Sequence, residues 1–202
     1  MESHTLTVRE SFRSLLRPAI LLLTVVTVVT GLLYPLAITG IARILFPYQA
    51  QGSLVVHGGR LAGSRLIGQS FADPGHFWSR PSATAPQPYN GTASGGSNFG
   101  PMNSSLTDSI KSRIAALHAA DPGNTAPIPV DLVTASGSGL DPEISLAAAD
   151  YQAARVARAR HLSPSTVQAL IAAHVKGSVL GMIGEPRVNV LELNLALDGA
   201  KK

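Results

Sequence analysis

The chain has 202 residues, 45% of them hydrophobic, no cysteine and a formal net charge of +4. That length fits one membrane span plus one domain of ordinary size, and the missing cysteines exclude disulfides and thiolate chemistry. The charge is spread, with no run of like charges and no aromatics interleaved with Lys or Arg, which excludes a nucleic-acid footprint.

Residues 1–17 read as a short polar lead-in carrying Arg9, Arg13 and Arg17. From Pro18 to Ala42 no residue is charged, and a bilayer core needs roughly 20 apolar residues to be crossed as a helix. A cleaved signal has a shorter apolar region, of about 7–15 residues, ending in a small-residue cleavage site. The run 18–42 therefore predicts an uncleaved transmembrane helix in a lipid bilayer. Three arginines precede it and Arg43 follows it closely, so the N-terminus is expected in the cytoplasm and residues 43–202 outside, in the periplasm of a bacterium with an inner membrane. Within the run, Thr24, Thr27 and Gly31 are three and four residues apart, a small-residue face on which another membrane helix packs. A single span does not line a pore, so a role in transport would be that of a subunit.

Residues 43–63 form a connector with strand character at Leu54, Val55 and Val56. Residues 64–103 are rich in Gly, Pro, Ser and Asn, yet hold Phe71, Phe77, Trp78, Tyr89 and Phe99. Disordered linkers rarely carry so many aromatics. The segment is expected to be ordered but irregular, its rings anchoring loops to a core or a partner. A helix should follow, capped by Asn103 or Ser104, with Leu106, Ile110, Ile114 and Leu117 at helical spacing, stopping before Asp121. Pro129 to Thr134 reads as a strand. Asp141 and Pro142 read as an N-cap and first turn of a helix reaching about Arg160, and Ser163-Pro164 opens another through Val175. Val188 to Leu197 reads as a half-buried strand, since Leu191, Leu193, Leu195 and Leu197 alternate, with a bulge near Leu191. The predicted class is α+β: one N-terminal membrane helix, then one mixed α/β domain whose first half is irregular.

The residues themselves offer little catalytic chemistry. There is no G-x-x-x-x-G-K-[ST] phosphate loop, and the six histidines lack metal-ligand spacing. Ser138 lies between two glycines but without the G-x-S-x-G elbow that positions a nucleophile. Asp141 and Glu143 sit where acidic residues favour a helix N-terminus. Ser94-Gly95-Gly96-Ser97-Asn98 is a loop able to offer N–H groups and hydroxyls to an anion, or simply a turn needing positive φ. No catalytic residue and no metal site is predicted.

Several strings together resemble the C subunit of the Kdp potassium-transporting ATPase. They are residues 63–69 (GSRLIGQ), 80–83 (RPSA), 94–98 (SGGSN), 131–142 (DLVTASGSGLDP) and 184–191 (GEPRVNVL). Glu143 stands where that family commonly has His or Asn, and Phe99 where Leu is expected. The resemblance implies a non-catalytic accessory subunit of a high-affinity potassium pump in the bacterial inner membrane. Its partners would be an ATP-hydrolysing subunit and a channel-like subunit, with potassium as the transported ion. The family is described as a catalytic chaperone that raises the ATP affinity of the hydrolysing subunit. That description gives Ser94, Gly95, Gly96, Ser97 and Asn98 a nucleotide-binding role. The arginine asymmetry points to an alternative. A domain outside the membrane, away from ATP, would act as a periplasmic cap gating access of potassium to the channel-like subunit.

Overall fold

The computed structural model describes residues 2–178 and 181–200, with residues 2–13 as backbone only. The side chains of Arg9 and Arg13, on which the orientation reading rests, therefore lie outside the described residues. The chain divides into two compact units, Met1–Gly52 and Ser53–Lys202.

The first unit is helical. Helix α1 (Glu2–Val28) runs through a π turn (Val29–Leu33) into α2 (Tyr34–Leu45), and a short α3 (Pro47–Ala50) follows. Ser14–Leu45 is long and apolar enough to cross a membrane. Its 32 residues span about 48 Å at the helical rise, more than the roughly 30 Å hydrocarbon core. The π turn has a local cause. Pro35 has no N–H to offer the carbonyl of Gly31, and its ring would clash with that carbonyl in a regular helix. The widened turn relieves this, and the Tyr34 N–H donates to the Val29 carbonyl five residues back. Thr30 Oγ1 donates to the Val26 carbonyl at 2.7 Å, so its hydroxyl is satisfied within its own helix.

The second unit opens with a hairpin of β1 (Leu54–His57) and β2 (Arg60–Ser64). Gly58 and Gly59 form its turn with φ of 57° and 76°, the left-handed pair that a tight two-residue hairpin demands. Residues 65–103 contain no helix or strand, as expected, but they are not loose. Phe77 and Trp78 are buried in the core, and Phe71 packs against it. Phe99 departs from the expected anchoring and stays exposed. Helix α4 (Ser104–Ala120) is capped by Asn103, whose side chain accepts from the Ser105 N–H at 2.9 Å. Helices α5 (Leu146–Arg160) and α6 (Pro164–His174) pack with α7 (Val190–Gly199) on an antiparallel sheet. That sheet has the order β3-β5-β4, from Glu143–Ser145, Arg187–Asn189 and Val175–Lys176. Ile144 pairs with Val188 at its centre, and both are buried. The class is α+β.

The structure corrects three elements. Pro129 to Thr134 is no strand: Val130–Leu132 is a 3-10 turn, closed by the Val133 and Thr134 N–H groups on the Val130 carbonyl. The Leu132 carbonyl is taken by Arg113 Nε at 3.0 Å, and the Asp131 carboxylate accepts from the Ser145 N–H at 2.7 Å. The helix expected from Asp141 begins at Leu146 instead. Asp141 does accept from the Glu143 N–H at 3.0 Å, but Glu143–Ser145 pairs with Arg187–Asn189, and Ser145 takes over as N-cap. The terminal strand is short, and its leucine-rich continuation is α7. Asn189 caps it, accepting from the Glu192 N–H at 3.1 Å, and Val190, Leu193, Asn194 and Leu197 are buried at helical spacing.

Candidate functional site

Of the five sequence strings that stand out along the chain, four converge in space on the fifth, residues 131–142. The Gly95 N–H donates to the Ser138 carbonyl at 2.9 Å, and Ser94 Oγ donates to the same oxygen at 3.1 Å. Ser82 Oγ donates to the Gly139 carbonyl at 2.6 Å while accepting from the Tyr89 N–H at 2.9 Å. Arg80 pairs with Asp141 at 3.0 Å, and the Tyr89 hydroxyl donates to the Arg80 carbonyl. The Gly68 N–H reaches the Leu140 carbonyl at 2.8 Å, and the Val190 N–H reaches Pro142 at 3.0 Å. Asn189 Nδ2 ties the hairpin's end to this group through the Arg65 carbonyl at 2.9 Å. The serines and glycines thus work mainly as turn formers. Ser138 Oγ accepts from the Leu140 N–H at 3.1 Å, a local turn bond. Gly139 has φ of +66°, and a Cβ there would lie 2.6 Å from the Gly95 carbonyl and 2.7 Å from Thr84 Cγ2. Only glycine fits that clasp.

The Ser94–Asn98 loop forms one wall of an open cleft of about 620 Å³. Gly96 and Ser97 face it with Pro81, Ser82, Val133 and Thr134, and Leu106, Ile110 and Arg113 of α4 lie opposite. Asn98 stands at φ 51°, its Nδ2 donating to the Gly96 carbonyl at 3.2 Å. Among the described residues, Arg113 is the one cation in the lining. Its Nε and Nη2 donate to the carbonyls of Leu132 and Ser79 at 3.0 and 2.9 Å. Burial lowers its pKa from the usual value. A triphosphate carries several negative charges and calls for uncommitted cations or a convergent set of N–H donors. This cleft offers hydroxyls, aliphatic groups and a guanidinium two of whose five N–H donors already go to carbonyls.

Behind the cleft lies a buried polar strap that the sequence does not announce. The Phe77 backbone is held by Asn194, with N–H to Oδ1 at 2.8 Å and Nδ2 to carbonyl at 3.0 Å. Gln152 holds the next residue in the same way, at 2.7 and 3.2 Å to the Trp78 N–H and carbonyl. Amides suit this task because each carries both a donor and an acceptor. Arg155 donates to Gln152 Oε1 at 2.7 Å and to the Pro74 carbonyl at 2.5 Å. The guanidiniums of Arg155 and Arg113 lie 4.9 and 5.1 Å from the Trp78 ring centroid. Burial pulls Arg155 down to about 10, with the Asp121 and Asp73 carboxylates opposing the shift, so it stays charged at neutral pH. A lone buried Gln, Asn or Arg has no recognisable spacing. The one visible signal is a polar residue set among the small and apolar residues of a helix's buried face.

In the first unit, Thr24 and Thr27 share a face of α1, and a Cβ on Gly31 would meet Thr27 Cγ2 at 3.9 Å, an ordinary contact. The structure therefore places Gly31 over Thr27 despite the π turn. Among the described residues, no group of three or more His, Asp or Glu is placed to hold a metal ion.

Comparison with known proteins points in one direction. The family described as KdpC, K+-transporting ATPase, c chain, matches residues 16–199. The chain is similar to the potassium-transporting ATPase KdpC subunit of Variovorax paradoxus (strain S110), 65% identical over 93% of this chain and 97% of that protein. The subunit of the same name from Polaromonas naphthalenivorans (strain CJ2) is 61% identical over 94% and 96% of the two chains. That from Dechloromonas aromatica (strain RCB) is 58% identical over 94% of this chain and the whole of the relative.

Proposed function

The chain belongs to the KdpC family, the c chain of the potassium-transporting ATPase, and from that membership we propose that it is a non-catalytic subunit that completes the pump without itself holding ATP. It is a membrane-associated subunit in potassium transport, with one candidate N-terminal apolar helix. One observation carries the reading on ATP: the Gly-Ser loop spends its Gly95 N–H and Ser94 hydroxyl on the Ser138 carbonyl, as a clasp between two loops. In this reading Ser94–Asn98 fixes the shape of the domain. Any effect on ATP affinity then passes through contacts with the hydrolysing subunit.

The second unit would sit outside, over the channel-like subunit, where it caps the path by which potassium arrives. The arginines before the span support this direction. Since the chain has no cysteine, Ser97→Cys creates a unique thiol on the half-exposed loop. A membrane-impermeant maleimide is expected to label it on intact spheroplasts. Labelling only after lysis would put the loop beside cytoplasmic ATP and defeat this reading.

The span would bind the pump through the face of Thr24, Thr27 and Gly31, where small side chains let backbones approach. Gly31→Leu tests this, because the helix itself leaves room for an added Cβ at that position. The expected result is a variant that still inserts but no longer co-purifies with the larger subunits. Undiminished co-purification would move the packing face elsewhere.

A further inference from the structure

The hairpin β1–β2 carries an aliphatic face that the second unit leaves uncovered. Leu54 and Val56 are two apart on β1, and Leu61 lies directly across from Val56, so the three share one face. They are 48%, 65% and 62% exposed, and Leu66 just beyond is 60% exposed. The charge along this part of the chain has one sign. No Asp or Glu occurs between Glu10 and Asp73, whereas His57 and Arg60 flank the turn as a cross-strand pair. Arg65 is already paired with Glu192 at 2.8 Å, which leaves Arg60 as the exposed cation of the hairpin.

The chain length limits where this face can go. Leu54 follows Leu45, the end of the apolar helix, by nine positions, a reach of roughly 30 Å at most. Phe46 and Tyr48, both exposed, lie in that connector, and aromatics of this kind favour the level of the headgroups. Aliphatic side chains on a segment that carries basic residues and no carboxylate of its own, with a short tether to a span, match a bilayer surface bearing anionic headgroups.

We propose that the hairpin face of Leu54, Val56 and Leu61 is a lipid-binding surface, seated in the headgroup–acyl boundary of the bilayer that the apolar helix crosses. Arg60 meets phosphate there, and the aliphatic groups sink roughly 5–10 Å, the depth typical of interfacial segments. The inference rests on reading Ser14–Leu45 as a span. It gives the second unit a foothold on the membrane besides its tether, fixing how it is presented to the pump.

The absence of cysteine makes the test specific. Single cysteines at Val56, at Lys111 on the exposed side of α4, and at Leu32 within the span are labelled with an environment-sensitive fluorophore. Each full-length variant is placed in nanodiscs containing anionic phospholipid, with nitroxide-bearing lipid as quencher. The Val56 probe is expected to lose most of its emission to a shallow nitroxide while the Lys111 probe keeps its own. An unquenched Val56 probe beside a quenched Leu32 probe overturns the hairpin inference and leaves the span intact. Equal quenching at Val56 and Lys111 overturns it as well. A Val56 probe that responds only when the other pump subunits are added assigns the face to a protein and also overturns it. An unquenched Leu32 probe refutes the span itself.

Discussion

Gln152→Leu is expected to lower the stability of the second unit by about 3–6 kcal/mol, enough to unfold most domains of this size. The side chain is 1% exposed and makes four hydrogen bonds. Leucine matches it roughly in volume, so the cost is polar rather than steric. The Trp78 N–H and carbonyl lose their partners in the core, at about 1–3 kcal/mol each. Arg155 loses an acceptor while remaining buried and charged, which adds to the penalty. Trp78 is the only tryptophan, so its fluorescence in a urea titration of the full chain in detergent reports on the strap directly. The midpoint should fall sharply. Gln152→Glu keeps an acceptor for Arg155 but loses the donor to the Trp78 carbonyl, and is expected to fall between the two. A change below about 1 kcal/mol for Gln152→Leu would mean that the strap is not what holds residues 73–79 to the core.

Gly139→Ala is the second large expected effect, and Gly137→Ala is its control. At Gly139 a methyl group meets the Gly95 carbonyl at 2.6 Å and Thr84 Cγ2 at 2.7 Å, in a backbone at φ +66° that alanine resists. Strain plus overlap should cost about 2–4 kcal/mol and open the clasp between the Ser94–Asn98 loop and Ser138. At Gly137 nothing lies within 4 Å of the added carbon, and the change should stay within about 0.5 kcal/mol. Potassium-stimulated ATPase of the assembled pump should follow the same order, weakened by Gly139→Ala and kept by Gly137→Ala. Equal tolerance of both variants, in melting and in activity, would show that the clasp does not shape the domain.

Much of the outline was legible in the sequence because its signals are local. An uncharged run from Pro18 to Ala42 reads itself, and Asn103 before Leu106, Ile110 and Leu117 marks α4 by cap and period. The elements that misled are short and are decided by partners distant in sequence. Alternating leucines at 191, 193, 195 and 197 mimic a strand. Yet Asn189 and Glu192 form the N-cap and third position of a helix, and that signal outweighs the alternation. Pro142 after Asp141 imitates a helix start, and only pairing with Arg187–Asn189 keeps Glu143–Ser145 extended. The second hairpin strand was missed because Arg60–Ser64 holds no β-branched residue, although the Gly58-Gly59 turn was there to be read. For the site, the strings around Ser94 and Ser138 were visible as motifs, but their meeting was not. Nor were the amides of Gln152 and Asn194, since a backbone clasp made by one side chain leaves no pattern.

A clasped loop domain and one candidate membrane-crossing helix, in a chain of the KdpC family, underlie the proposal of a subunit that assembles and positions rather than catalyses. The most direct measurement is potassium-stimulated ATP hydrolysis by the pump purified with and without this chain. Loss of the stimulated activity in its absence, restored by adding the wild-type chain and equally by a Ser97→Ala chain at the same apparent affinity for ATP, is the expected result. Full activity without the chain would contradict the subunit role, and a weakened ATP affinity confined to Ser97→Ala would return the nucleotide to the loop.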